Sequence, residues 1–226
     1  MNPLSQFDFS SLTLSMNHQQ QSHSLQYVQN ISTSILPSMH QIFNFSQFNE
    51  MQSKMFNFCY ECQENFVLSS PTASGKTVIA ALCFLKSKKC VYVAPTKALI
   101  QNHLQEFTRM RFKAGALTSE NSCDLTSELI LTTPEKLEQL LIQNTISPDC
   151  VVFDEVQTAF TERGWLYEVC FQLLKKNKKR IVCLTASYCI NQVFTNILTV
   201  SYFNSIRFFQ MLKYLLLIDF SHMFQA

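Results

Sequence analysis

The pattern of hydrophobic and polar positions changes at Phe45, after which apolar strand-like runs alternate with helix-like segments. The runs at 65–69, 90–94, 128–132, 149–153 and 180–184 include several that are nearly continuous in apolar residues. A strand with one wet face would alternate apolar with polar, so these five read as parallel strands covered on both faces. Helix-like segments lie at 48–59, 76–86, 97–108, 134–143 and 163–176. Such alternation predicts an α/β fold, a parallel sheet with helices on both faces.

Two stretches fall outside the pattern. Residues 1–44 are rich in Ser, Gln, Asn and His. They offer too little apolar surface to offset the entropy of ordering, so this low-complexity segment is expected to be mostly disordered. Residues 201–226 are apolar almost all round. A membrane span needs about 20 largely uncharged residues, and Arg207, Lys213 and Asp219 interrupt this run. It reads as a buried helix or as the divergent tail of a truncated chain. The expected organisation is a domain over 45–200 between these two segments.

Composition adds limits. A chain of 226 residues builds one good core, and the net charge of +2 is too small to argue for nucleic-acid binding by itself. Nine cysteines, several inside apolar runs (Cys83, Cys90, Cys150, Cys183), read as reduced thiols of the cytosol or nucleus. Cys59 and Cys62 make a lone CxxC with no second pair, and the five histidines show no ligand spacing. The N-terminus lacks a basic region followed by an apolar core, so no signal peptide is expected. The basic run Lys175–Arg180 reads equally as a solvated turn, a nuclear signal or a nucleic-acid patch.

Chemistry enters at Ser69-Ser70-Pro71-Thr72-Ala73-Ser74-Gly75-Lys76-Thr77, between an apolar strand and an apolar helix. Strand, tight loop ending Gly-Lys-Thr, then helix is how backbone N–H groups wrap the phosphates of a nucleoside triphosphate. Lys76 would reach the β and γ phosphates, and the Thr77 hydroxyl would hold Mg²⁺. Ser70 stands where the general pattern has its first glycine. A second apolar strand ends in Asp154-Glu155. Asp154 would hold Mg²⁺ through its water shell, and Glu155 would orient and deprotonate the attacking water. Acids at the start of a helix are also favoured by its dipole, a reading that weakens once the strand is paired with the Gly-Lys-Thr loop.

Six blocks then carry a resemblance. Phe48–Ser53, Pro71–Thr77, Ala94–Leu99, Thr132–Lys136, Asp154–Gln157 and Leu184–Ser187 follow in helicase order. They resemble the Gln motif and motifs I, Ia, Ic, II and III of superfamily 2 DExD/H-box helicases, over about residues 45 to 190. The Phe-Asn-x-x-Gln-Ser opening, Ala-Pro-Thr-Lys-Ala-Leu and Arg163-Gly164 resemble the Ski-like branch, most of all its meiotic crossover-type DNA helicases.

The resemblance implies a RecA-like P-loop NTPase lobe, with ATP and Mg²⁺ as cofactors. Gln52 would hydrogen-bond adenine, and Thr72, Ala73, Ser74, Gly75, Lys76 and Thr77 would hold the nucleotide. Pro95, Thr96, Lys97, Thr133 and Pro134 would follow a nucleic-acid backbone, DNA ahead of RNA, with no role at a membrane. Thr96 and Thr133 are also natural helix N-caps. Thr185 and Ser187 would couple hydrolysis to movement, and the location implied is the nucleus, otherwise the cytoplasm. Lys76, Asp154, Glu155 and Gln157 form the catalytic set, with Gln157 in place of the family's histidine.

The second RecA-like lobe, with its arginine finger, is expected to be absent from this chain. Such an arginine is worth about 10³–10⁵ in rate, so the lone lobe is expected to hydrolyse ATP poorly. The complete enzyme would separate DNA strands 3′ to 5′. Two other readings remain at this point: a binding module without motor activity, and a P-loop kinase or other NTPase. The blocks like motifs Ia and Ic count against the latter.

Overall fold

The computed structural model describes residues 30–35, 39–62, 64–119, 125–186 and 201–204. Its centre is a sheet of seven strands: β1 Phe66–Ser69, β2 Cys90–Val93, β3 Ala114–Leu117, β4 Leu129–Thr132, β5 Cys150–Phe153, β6 Arg180–Thr185 and β7 Ser201–Asn204. In space the order is β3-β4-β2-β5-β6-β1-β7, and every pairing is parallel. Among the described residues five longer helices cover it: α1 Glu50–Tyr60, α2 Lys76–Phe84, α3 Lys97–Arg109, α4 Pro134–Ile142 and α5 Gly164–Lys176.

Successive strand residues point to opposite faces, and the core divides accordingly. Leu68, Tyr92, Leu131, Val152 and Leu184 belong to one buried cluster, with Phe56, Ile79, Ile100 and Phe107 from α1, α2 and α3. Val67, Val91, Ile130, Val151 and Cys183 belong to the other, with Leu137 from α4 and Phe171 and Leu174 from α5. Both faces are dry, which is why the strand runs show no polar alternation. The expected parallel α/β sheet is present, and the five expected strands match β1, β2, β4, β5 and β6 to within a residue at each end.

Two strands lie outside that expectation. Ala114-Gly115-Ala116-Leu117 is too small in side chain to make an apolar run, and it is a strand because β4 offers its edge. Ser201–Asn204 pairs with β1, so the segment expected to form a buried helix or tail begins with backbone added to the sheet. Residues 205–226 lie outside the described residues.

The start of the domain also moves. Ile31 and Phe43 are buried, and Ser32 bridges Gln47. Phe48 N–H donates to the Ile31 carbonyl at 2.9 Å, and Ile31 N–H donates to Ser53 Oγ at 3.0 Å. The packed chain therefore extends to about residue 30 instead of 45, because a few apolar residues in a polar stretch suffice when α1 offers a face. Residues 1–29 lie outside the described residues.

Arg180 leaves the basic run and enters the core. Its buried guanidinium donates to the carbonyls of Phe58 (2.6 Å), Cys59 (3.1 Å) and Glu64 (3.3 Å), closing the C-terminal end of α1. A cation at that end also meets the negative pole of the helix.

Candidate functional site

In a parallel sheet the loops leaving the carboxyl ends of the strands share one edge. β1 leads into the Ser70–Gly75 loop, β2 into Pro95-Thr96-Lys97, β4 into Thr133-Pro134 and β5 into Asp154–Gln157, while β6 ends at Thr185. Topology alone thus gathers blocks far apart in sequence.

The phosphate-type loop is held from several sides. Ser70 is buried; its N–H donates to the Thr185 carbonyl at 3.0 Å, and its hydroxyl shares a 2.9 Å hydrogen bond with Ser74. The serine in place of the usual glycine thus staples the loop. Gly75 has φ 91°, and a Cβ there would lie 2.2 Å from Gln52 Nε2. Glycine is therefore favoured by the backbone conformation, and a larger residue would also push the end of the Gln52 side chain away from the loop. Lys76 Nζ donates to the carbonyls of Ser70 and Pro71, each at 3.1 Å, so its ammonium lies across the loop. Thr77 follows in the first turn of α2 and is half-buried.

The start of α1 clamps the same loop. Asn49 and Gln52 form a reciprocal capping box: Gln52 N–H donates to Asn49 Oδ1 (2.9 Å) and Asn49 N–H to Gln52 Oε1 (3.0 Å). Asn49 Nδ2 then reaches the Ser74 carbonyl at 2.9 Å, and Gln52 Nε2 reaches that of Gly75 at 3.4 Å. Gln52 is thus brought to the loop, with its amide engaged by protein groups at both ends.

Asp154 is 5% exposed. Its Oδ2 accepts from the Tyr92 hydroxyl at 2.7 Å and lies 3.2 Å from His103 Nε2, whereas Oδ1 is buried without a hydrogen-bond partner. An orphaned buried oxygen costs about 1–3 kcal/mol. His103 Nδ1 in turn lies 3.0 Å from Glu106 Oε2. Burial pulls the His103 imidazole down, but the hydrogen bond and charge of Asp154, and then those of Glu106, outweigh it and hold its pKa above the ordinary value. Burial, and then the Asp154 carboxylate, push the Tyr92 hydroxyl well up.

Glu155 sits in the left-handed region, φ 48° and ψ 43°. Such a backbone costs about 1–3 kcal/mol and persists where surrounding structure fixes it. Here Gln157 Nε2 donates to Glu155 Oε2, and the buried Thr185 hydroxyl donates to Gln157 Oε1 at 2.6 Å. An amide donates at one end and accepts at the other, so Gln157 links the carboxylate to the end of β6. Ser187 lies outside the described residues.

At the other end of the edge, Thr96 N-caps α3, its Oγ1 accepting from Leu99 N–H at 3.3 Å. Thr133 occupies the N-cap of α4 without a side-chain bond to the helix backbone, and Pro134 fills the first helical position. Pro95 is buried, while Thr96 and Lys97 are exposed. Arg163 Nη1 donates to the Pro95 carbonyl at 3.2 Å, and Nη2 pairs with Glu135. Burial raises the Glu135 carboxyl, but the Arg163 hydrogen bond leads the effects that bring it below the usual range. Arg163 therefore straps together two loops that the sequence left separate.

A magnesium nucleotide fits these residues. Among the described residues no group of three or more His, Cys, Asp or Glu could cage a metal. Mg²⁺ typically takes one or two carboxylates and the nucleotide's own phosphates, and the unpartnered Oδ1 of Asp154 is an oxygen of that kind. The conformation at Gly75 opens the loop into the N-terminus of α2, where N–H groups favour anions.

The profile of the DEAD/DEAH box helicase family matches residues 49–193. The chain belongs to that family. Among its relatives, the ATP-dependent DNA helicase MER3 of Saccharomyces cerevisiae is 36% identical over 165 residues, 62% of this chain and 14% of that protein. The human activating signal cointegrator 1 complex subunit 3 is 33% identical over 152 residues, 57% of this chain and 7% of that protein. The chain thus spans a small part of the length of the curated relatives it matches. The helicase domain of Pyrococcus furiosus Hef aligns with a TM-score of 0.56 at 26% identity, covering 68% of this chain and 37% of that one. S. cerevisiae Dbp5 bound to RNA and ADP BeF3 shares the fold, with a TM-score of 0.62 at 16% identity over 74% of this chain and 49% of that one.

Within this helicase domain, sequence reasoning passed over Tyr92 and the strap made by Arg163, gave Asn49 no role beyond its block, and dismissed His103. A signal for His103 existed: it is a polar residue on the inward stripe of α3, between buried Ile100 and Phe107. Among the described residues no helix is long and apolar enough to cross a membrane.

Proposed function

We propose that this domain binds ATP with Mg²⁺ and hydrolyses it in response to a nucleic acid, DNA ahead of RNA, lying along Pro95-Thr96-Lys97 and Thr133-Pro134. The observation that carries the reading is the chain Glu155–Gln157–Thr185, which continues through the Thr185 carbonyl to Ser70 in the phosphate-type loop. It joins the proposed base, the proposed coupling residue and the nucleotide loop in one hydrogen-bonded path.

The protein's own groups have distinct tasks. Loop N–H groups cradle phosphates, and Lys76 exchanges the carbonyls of Ser70 and Pro71 for phosphate oxygens. Thr77 and Asp154 would hold the cation, which would supply neutralisation of charge on the transferred phosphoryl group. Gln157 holds Glu155 Oε2, leaving the other oxygen to take a proton from water. Gln52 faces adenine from the start of α1. Thr96, Lys97 and the N-termini of α3 and α4 suit backbone phosphates, which carry no sequence information.

The resemblance to the Ski-like branch extends the reading to 3′-to-5′ separation of DNA strands in the nucleus. An arginine supplied by an opposing lobe would raise turnover about 10³–10⁵-fold. The test is ATP turnover with and without single-stranded DNA or RNA, in the native chain, Lys76→Ala and Glu155→Gln. Stimulation by DNA that both variants lose is the expected result. Turnover that neither polymer stimulates and neither variant lowers overturns it, and nucleotide binding without any turnover marks a binding module instead.

A further inference from the structure

We propose that Tyr92 and His103 are positioning residues for Asp154, turning Oδ2 inward and presenting Oδ1 to the divalent cation of the bound nucleotide. The inference rests on the magnesium-nucleotide reading above and assigns the geometry of its carboxylate to residues on other elements. Tyr92 lies on β2 and His103 on α3, whereas Asp154 follows β5.

The asymmetry of the carboxylate carries the argument. Two donor groups converge on Oδ2, at 2.7 Å from Tyr92 and 3.2 Å from His103 Nε2. Oδ1 is buried and has no hydrogen-bond partner. A polar network whose purpose is only to stabilise a core satisfies every member, because a half-satisfied one is worse than an apolar core. Here one oxygen is saturated and the other left open, the arrangement expected where an external ligand completes the set. A carboxylate also rotates readily about its last bond, and two donors on one oxygen stop that rotation.

The clamp is itself held. Glu106 Oε2 lies 3.0 Å from His103 Nδ1 and fixes the ring, so His103 faces a carboxylate on each side. The Tyr92 ring lies 4.8 Å from the His103 ring at a tilt of 56°, and edge-on to Phe107 at 5.2 Å, between centroids. Tyr92 is fully buried, and β2 runs beside β5 in register, Tyr92 opposite Val152. The supporting partners of a metal ligand typically change metal affinity or activity by about 10–100-fold when removed.

The measurement is the affinity of the 226-residue chain for a fluorescent ATP analogue, with excess EDTA and across a Mg²⁺ titration. For Tyr92→Phe and His103→Leu the expected result is unchanged affinity in EDTA and about a tenfold higher Mg²⁺ requirement. His103→Gln, which keeps a donor of similar reach, should restore much of the gain. Asp154→Asn separates the two claims. If it leaves the Mg²⁺-dependent gain intact, the nucleotide reading fails and this proposal with it. If it abolishes the gain while Tyr92→Phe and His103→Leu do not change it, only the positioning role is overturned. Equal losses in the EDTA and Mg²⁺ arms, with no rescue by Gln, assign the cluster to folding and also overturn the proposal.

Discussion

The carboxyl edge of the sheet has two halves built differently. Around β5 and β6 the candidate residues Asp154 and Thr185 are buried and bonded across elements, Asp154 to Tyr92 and Thr185 to Gln157. Around β2 and β4, Thr96 and Lys97 stand exposed on helix N-termini, and the strap across the loops, Arg163, is itself about half exposed. On the proposed function the first half carries the bond-making chemistry, which tolerates little displacement of its groups, and cross-element bonds of this kind limit displacement. On the same proposal the second half meets a polymer backbone, which repeats and can slide, and needs only donors presented at roughly the right spacing.

The sharpest way to break this comparison is Glu155→Gln. Loss of a general base typically lowers turnover about 10²–10⁴-fold, and nucleotide and nucleic-acid affinity should stay near native in fluorescence titrations. Gly75→Ala comes next. A left-handed backbone costs a non-glycine residue about 1–2 kcal/mol, so denaturant unfolding should show that loss, with nucleotide binding weakened by the push against Gln52.

On the exposed half, Arg163→Ala should weaken single-stranded DNA binding several-fold while leaving nucleotide affinity unchanged. Equal damage to both affinities would mean that the halves are not separable. Lys97→Ala should lower the salt dependence of DNA binding by about one unit of slope, uniformly across sequences. The smallest effect is chemical. Burial pushes the Cys90 and Cys170 thiols up to about 12, so neither should alkylate at pH 8 in the native chain, as read by mass spectrometry. Unfolding returns these thiols to about 8.5. The unfolded state then releases protons that the folded state keeps, and stability should fall as pH rises above that value.

The sheet was largely legible because burial on both faces removes polar positions from a strand, which leaves a contiguous signal at Cys90–Val93 or Cys150–Phe153. β3 was not, since Ala114-Gly115-Ala116 gives no such run and owes its state to a neighbouring edge. The phosphate-type loop was legible for a different reason. Gly75, Lys76 and Thr77 act through adjacent backbone and first-turn positions, so spacing alone encodes them. Tyr92 and His103 act on Asp154 from positions 62 and 51 residues before it, and nothing local marks that meeting.

The sequence by itself determined the family, the parallel α/β fold and the order of the blocks, because each depends on local periodicity or on short contiguous motifs. Only the tertiary structure decided which oxygen of Asp154 is held, that Gln157 bridges Glu155 to Thr185, and that Arg163 ties two loops together. Those are hydrogen bonds between elements brought together by sheet order, and their distances and directions exist only once the strands are paired.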